Sequence, residues 1–231
     1  MKKFLLILLS TLSLMALELP QTIQTTVQSV SNNGQIATLT DKVPQGMSGI
    51  VIHNYGNHLS AITHTLITQG SQQAQIGNYT ALDHNNLPTI KNSVQKGDRV
   101  ILGNFYNNLL LIAPNEQVYS QITKNISKNW IHPDLYAMYL IIKEQKQLSW
   151  DNLKGFALDN QVGLVLIVTK NKLLIVDPIS QVMLKEEPFS TPVSQTISPF
   201  YARFKQLSNN FLGADSPQDF PEYYQGVGAI K

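Results

Sequence analysis

Three histidines, His53, His58 and His64, are the first residues whose type and spacing invite chemistry, because neutral imidazoles gathered in space bind zinc. Successive gaps of five and six residues put them on a strand end, a loop and the next strand, with no carboxylate beside them in sequence. They read as ordinary polar residues of a sheet, and His84 in "LDHNNLP" reads as a turn residue. Gly46, Ser48 and Gly49 in "PQGMSGI" come near the letters of a nucleophile elbow but lack its spacing and its strand-to-helix setting. There is no Gly-rich phosphate loop, no HExxH helix and no clear carboxylate pair. With no cysteine there is neither a thiolate metal site nor a cysteine nucleophile. No catalytic residue, metal ligand or cofactor follows, and an enzyme is not expected. The remaining candidate is Lys231 at the end of "QGVGAIK", where one residue carries an ammonium and, as a terminus, a carboxylate.

The elements that would carry these residues are strands in the first half. "TIQTTVQSVSNNGQIATLT" is two runs rich in Thr, Val and Ile around Asn33-Gly34, a dipeptide suited to a tight hairpin turn. Further short strands are expected at "SGIVIHN", "LSAITHTLITQ", "QAQIGNYTAL", "DRVILGNF" and "LLLIAP", with turns at Gly97-Asp98 and Asn107-Asn108. About six or seven short strands at this spacing predict a small closed or half-closed antiparallel barrel, which leaves few exposed edges.

From Tyr119 the pattern changes. His132-Pro133-Asp134 spells the tripeptide through which J-domain co-chaperones engage their partner, but the preceding "SKNWI" is not the basic helix of such a domain. The tripeptide reads instead as a helix start: Pro133 sits where the first turn can spare its N–H, and Asp134 lies at the positive end of the helix dipole. Leu135, Met138, Tyr139 and Ile142 follow at spacings of three and four, the pattern of a buried stripe. Ser149 is placed to cap a second helix with Leu153, Phe156 and Ala157 inside. "VGLVLIVTKNKLLIVDP" then gives two apolar strands joined at Lys170–Lys172. The expected class is α+β: a small antiparallel barrel-like subdomain over residues 22–118, a helix-helix-hairpin subdomain over 119–187, and an irregular stretch over 188–231 with a flexible end.

"MKKFLLILLSTLSLMALELP" has two lysines, an apolar run and a small residue at Ala16, so residues 1–16 read as an export signal. Removing Lys2 and Lys3 leaves fifteen basic residues against fifteen acidic ones, a formally neutral mature chain. Only Arg99 and Arg203 supply guanidinium groups, so nucleic acid is not an expected partner. The destination is the periplasm or the cell surface, which the signal alone does not separate.

"GDRVILGNFYNNLLLIAPN", "YSQI", "WIHPDLYAMYL" and "VGLVLIV" together resemble the N-terminal domain of the plasminogen-binding surface proteins of epsilon-class proteobacteria. The likeness runs from about Thr22 to Asp177, and "LLIAPN" and "HPDLYA" are its most specific pieces. It implies an envelope or surface protein that captures host plasminogen and is not an enzyme. In that family's mechanism the kringle modules of plasminogen hold a lysine ammonium at an anionic pair and a carboxylate at cationic groups. Lys231 meets that requirement at the end of a glycine-containing stretch. The family's founding members carry a long lysine-rich extension after this domain, which this sequence lacks. A periplasmic assembly factor binding another envelope protein therefore stands as the alternative, with an unrecognised hydrolase behind it.

Overall fold

The computed structural model describes residues 17–79, 92–145, 148–189, 196–197 and 199–203. The signal segment, His84, Lys231 and the terminal stretch from 204 lie outside the described residues.

The first sheet grows from the threonine- and valine-rich runs. β1 (Ile23–Ser31) turns at Asn32–Gly34 into β2 (Ile36–Gly56), with Asn33 at φ 54° and Gly34 at φ 89°. β2 reverses at Asn57-His58, both with positive φ, into β3 (Leu59–Asn78). Paired positive φ values match the right-handed twist of the flanking strands, as a two-residue hairpin requires. β4 (Arg99–Leu102) enters after the turn at Lys96-Gly97 and pairs with the start of β1 and the second half of β2.

The expected string of short strands is thus two long ones. Gly46 at φ 86° and Gly70 at φ 89° make bulges within them, and the β2–β3 register shifts between Gln45 and Ser48. An extra residue with positive φ bends a strand without ending its pairing. The strand order is β1-β4-β2-β3, with β1 also pairing β2, and no closed barrel is found among the described residues. The arms of the bent β3 approach where the Thr65 hydroxyl donates to the Asn78 carbonyl.

The second sheet has the order β6-β5-β7-β8-β9. β5 (Asn108–Ile112) runs parallel to both β6 (Asn129–Ile131) and β7 (Leu164–Val168). β8 (Lys172–Asp177) and β9 (Val182–Pro188) continue antiparallel. Parallel neighbours need crossovers, and helices supply them: α1 (Glu116–Asn125) between β5 and β6, then α2 (Pro133–Ile142) and α3 (Trp150–Asn160) between β6 and β7. β7 is buried along its whole length, as the central strand of a sheet covered on both faces.

Alternation along β5 and β7 sorts the core into two layers. Leu109, Leu111, Leu164 and Leu166 pack with Val118 and Ile122 of α1 and with Leu39, Val51 and Val100 of the first sheet. Leu110, Ile112, Val165 and Ile167 pack with α2, α3 and Phe200. The molecule is therefore a mixed α+β protein of two sheets and three described helices.

One expectation about α2 is corrected. Its buried face is Pro133, Tyr136, Ala137 and Leu140, while Leu135 and Ile142 are 52% and 71% exposed. "PDLYAMYLII" is apolar almost all round, so more than one set of residues satisfies a spacing of three and four. The cap and the packing partners select the face. The sheets themselves are joined at Asp177, which is fully buried and accepts hydrogen bonds from the Ser48 amide and the Tyr106 hydroxyl, both at 2.8 Å.

Candidate partner-binding site

The carboxyl ends of β5 and β6 lie side by side, and each feeds the start of a helix. After β5, Asn115 caps α1 by accepting from the Val118 amide at 3.0 Å. After β6, His132 caps α2, and Pro133 occupies the first turn. "LLIAPN" and "HPDLYA", far apart in sequence, thus meet at one edge of the molecule.

A third segment crosses them. The Ile197 amide donates to the Pro114 carbonyl at 2.7 Å and the Tyr201 amide to the Ala113 carbonyl at 2.8 Å. Arg203 then closes on Asp134 twice, its backbone amide to Oδ1 at 2.7 Å and its Nε to Oδ2 at 2.6 Å. The Asp134 side chain is 9% exposed and that of Arg203 66%, so a buried carboxylate holds a guanidinium whose outer face stays in solvent. Tyr119 packs against His132 and Tyr201, with ring centroids 5.2 and 5.5 Å away.

Electrostatics here favour neutral rings. His132 Nδ1 lies 3.1 Å from both the amide and the carboxylate of Asp134. The amide can only donate, so the neutral ring accepts at Nδ1. Burial lowers the His132 pKa, nearby Asp134 opposes this, and Arg203 adds to the lowering. Burial also raises the pKa of Tyr119, helped by Tyr201, and that of Tyr201, helped by Glu116. Both phenols are therefore protonated donors at neutral pH. Among the described residues the cluster has a cation held by a carboxylate, two phenols and an imidazole, a composition suited to binding.

The other residues singled out in the sequence are scattered. His53 lies on β2, His58 in the β2–β3 turn and His64 on β3 opposite Val51. Among the described residues no group of three or more histidines and carboxylates is placed to hold a metal. Ser48 is 4% exposed, lies inside β2 and not at a strand-to-helix turn, and donates its amide to Asp177. His53 does have a carboxylate partner, Asp98, at 2.6 Å. The pair was hidden because 45 residues separate the two. The Arg203–Asp134 clamp spans 69 residues and was hidden for the same reason. A useful signal was that Arg203 is one of only two arginines.

The family profile described as plasminogen-binding protein PgbA, N-terminal, matches residues 22–227. The chain belongs to this family. Two relatives named plasminogen-binding protein PgbA, from two strains of Helicobacter pylori, are each 31% identical to it over 149 residues. The matched part is 64% of this chain and 32% of each relative, so the chain aligns with about one third of their length. No solved structure matches. The Arg203–Asp134 clamp, the two helix starts and both sheets all fall within the stretch matched by the PgbA N-terminal profile. No described helix is long and apolar enough to cross a membrane.

Proposed function

We propose that this chain is an exported, non-enzymatic envelope or surface protein that binds host plasminogen, with Lys231 as the ligand for a kringle lysine-binding site. The observation that supports it is family membership over residues 22–227, with relatives whose name is plasminogen-binding protein. In this reading the folded body is a platform. Asp134 fixes the backbone at Arg203, beside the carboxyl ends of β5 and β6. A lysine ammonium, and a carboxylate where the polypeptide ends there, would enter the kringle site and gain charge-assisted hydrogen bonds in a partly desolvated setting.

The test is binding of the mature chain to immobilised plasminogen beside a version lacking only Lys231, each with and without a lysine analogue. The reading expects binding by the intact chain, displacement by the analogue, and loss on removal of Lys231. Equal binding by both forms would move the ligand to internal lysines. No binding by either would sink the plasminogen reading for this chain.

One observation favours the alternative of an envelope partner held by the body. Leu135 and Ile142 project from the outer side of α2, and Leu158 of α3 is 54% exposed. Exposed large apolar side chains on a helix pair offer a surface to another protein. The substitutions Leu135→Gln and Ile142→Gln should weaken capture of such a partner and leave plasminogen binding intact.

A further inference from the structure

We infer that the recess beside the β2–β3 hairpin is a binding site for a phosphate monoester, a ligand separate from the proposed plasminogen. The recess has a volume of about 390 Å³ and is lined by His53, Asn54, Ser60, Lys96, Asp98 and Arg99, among others. That volume falls in the usual range for small-ligand sites.

Its charge is unbalanced toward the positive. Lys96 and Arg99 make no ion pair or side-chain hydrogen bond among the described residues. The one carboxylate of the lining, Asp98, is 5% exposed and already engaged: Oδ1 lies 2.6 Å from His53 Nδ1, and Oδ2 accepts from the Gln95 amide at 2.8 Å. It therefore orients the imidazole and, among the described residues, leaves the two cations unpaired. A guanidinium and an ammonium together suit an oxyanion, the first through its planar fork and the second as a compact charge.

The histidine narrows the oxyanion. In the neutral tautomer that donates Nδ1–H to Asp98, Nε2 is an acceptor. A carboxylate or a sulfate has no proton to give it at neutral pH. A phosphate monoester does, because its second ionisation lies near pH 6 and a share of it retains one P–O–H. That hydroxyl donates to Nε2 while the other oxygens accept from Arg99 and Lys96, and Ser60 and Asn54 add polar contacts at the rim. Ser60 makes no hydrogen bond to His53, so the arrangement is one for holding an anion and not for activating a serine.

The experiment is a nuclear magnetic resonance titration of the mature chain with inorganic phosphate, following the Arg99 and His53 side-chain signals, against sulfate and chloride at matched ionic strength. Saturable shifts with phosphate, at least about fivefold weaker with sulfate and absent with chloride, are expected. Arg99→Gln and Lys96→Gln are exposed changes that leave the His53–Asp98 pair in place, and each should weaken phosphate binding about tenfold without altering the rest of the spectrum. His53→Gln should erase the preference for phosphate over sulfate while a weak common affinity persists. A second arm uses sedimentation with phosphatidic acid vesicles, which present the monoester on a lipid, against phosphatidylcholine vesicles. Binding to the former that is lost in Arg99→Gln would make the ligand a lipid headgroup. Shifts with free phosphate but no sedimentation would make it a soluble phosphate. Equal response to phosphate, sulfate and chloride, or unchanged affinity in both Arg99→Gln and Lys96→Gln, would overturn the assignment. The phosphate titration contains no plasminogen and the Lys231 deletion leaves this recess unchanged, so the failure of one reading is distinguishable from the failure of the other.

Discussion

Asp177 is fully buried, and four donors converge on its carboxylate: the Ser48 amide and Tyr106 hydroxyl on Oδ2, and the Ile179 and Ser180 amides on Oδ1. Two belong to the first sheet and its exit turn, two to the turn between β8 and β9, so one side chain ties the halves together. Removing it strands four donors at once. Asp177→Ala should cost about 3–5 kcal/mol in urea unfolding, since a buried donor without an acceptor loses its desolvation energy in full. Tyr106→Phe removes one donor and should cost about 1–2 kcal/mol. Equal losses in the two variants would contradict this reading of the site. Burial, and then the neighbouring Asp177, hold the Tyr106 pKa well above the ordinary phenol value of 10.0. The unfolded chain therefore ionises first as pH rises. The stability from this phenol is complete below about pH 10 and drains away above it, so Tyr106→Phe should flatten the alkaline limb of the stability profile.

At the scale of elements, glycines separate bends that are merely turned from bends that are also packed. Gly34 and Gly46 share a positive φ, 89° and 86°, but a Cβ on Gly34 would meet nothing within 4 Å, while one on Gly46 would fall inside the side chain of Val182 on β9. Gly34→Ala should cost about 1 kcal/mol, the strain of the left-handed conformation alone. Gly46→Ala should cost about 2–4 kcal/mol, because overpacking between β2 and β9 adds to that strain. Thermal melts of the pair decide it, and equal shifts would show that β9 yields freely. Two histidines bear on the acid side. Burial lowers the pKa of His64, whose Nδ1 is buried without a partner among the described residues, and of His132 at the start of α2. Protonation then favours the unfolded chain, so their contribution is full above about pH 6.5 and is lost as pH falls below it. His132→Gln should shallow that slope in an unfolding series between pH 7 and 5.

The same scale shows what could be read from sequence and what could not. Pro133 and Ser149 announced α2 and α3 because a cap is a local device, written in two or three adjacent residues. α1 went unread, since "EQVYSQITKN" buries only Val118 and Ile122 and gives little period to detect. β6 is three residues long, and its parallel pairing with β5 depends on a helix between them. The bulges at Gly46 and Gly70 went unread, because glycine alone does not tell a bulge from a turn. The clamp of Arg203 on Asp134 and the pair of His53 with Asp98 are products of topology and leave no mark on neighbouring residues.

For the whole molecule the question is whether two sheets make two folding units. The core shared by Leu39, Val51 and Val100 of the first sheet with Leu109, Leu111, Leu164 and Leu166 of the second leaves no apolar face of the first sheet's core with a separate partner. Cutting between them would expose that layer on both pieces and break the four-donor site at Asp177. Unfolding should therefore be a single cooperative transition, the behaviour of one domain. Trp130 on β6 and Trp150 at the start of α3 report the second sheet alone, whereas far-ultraviolet circular dichroism reports both sheets. Coincident urea curves from tryptophan fluorescence and circular dichroism are expected, and Asp177→Ala should shift both together. If fluorescence and dichroism separate, or if residues 17–107 expressed alone melt cooperatively, the first sheet is a unit in its own right. The shared leucine layer would then be an interface between two domains and not a common core. That distinction sets the proposed function's mechanics, because a partner drawing on the chain beyond Arg203 pulls on the second sheet, and only a common core carries that load into the first.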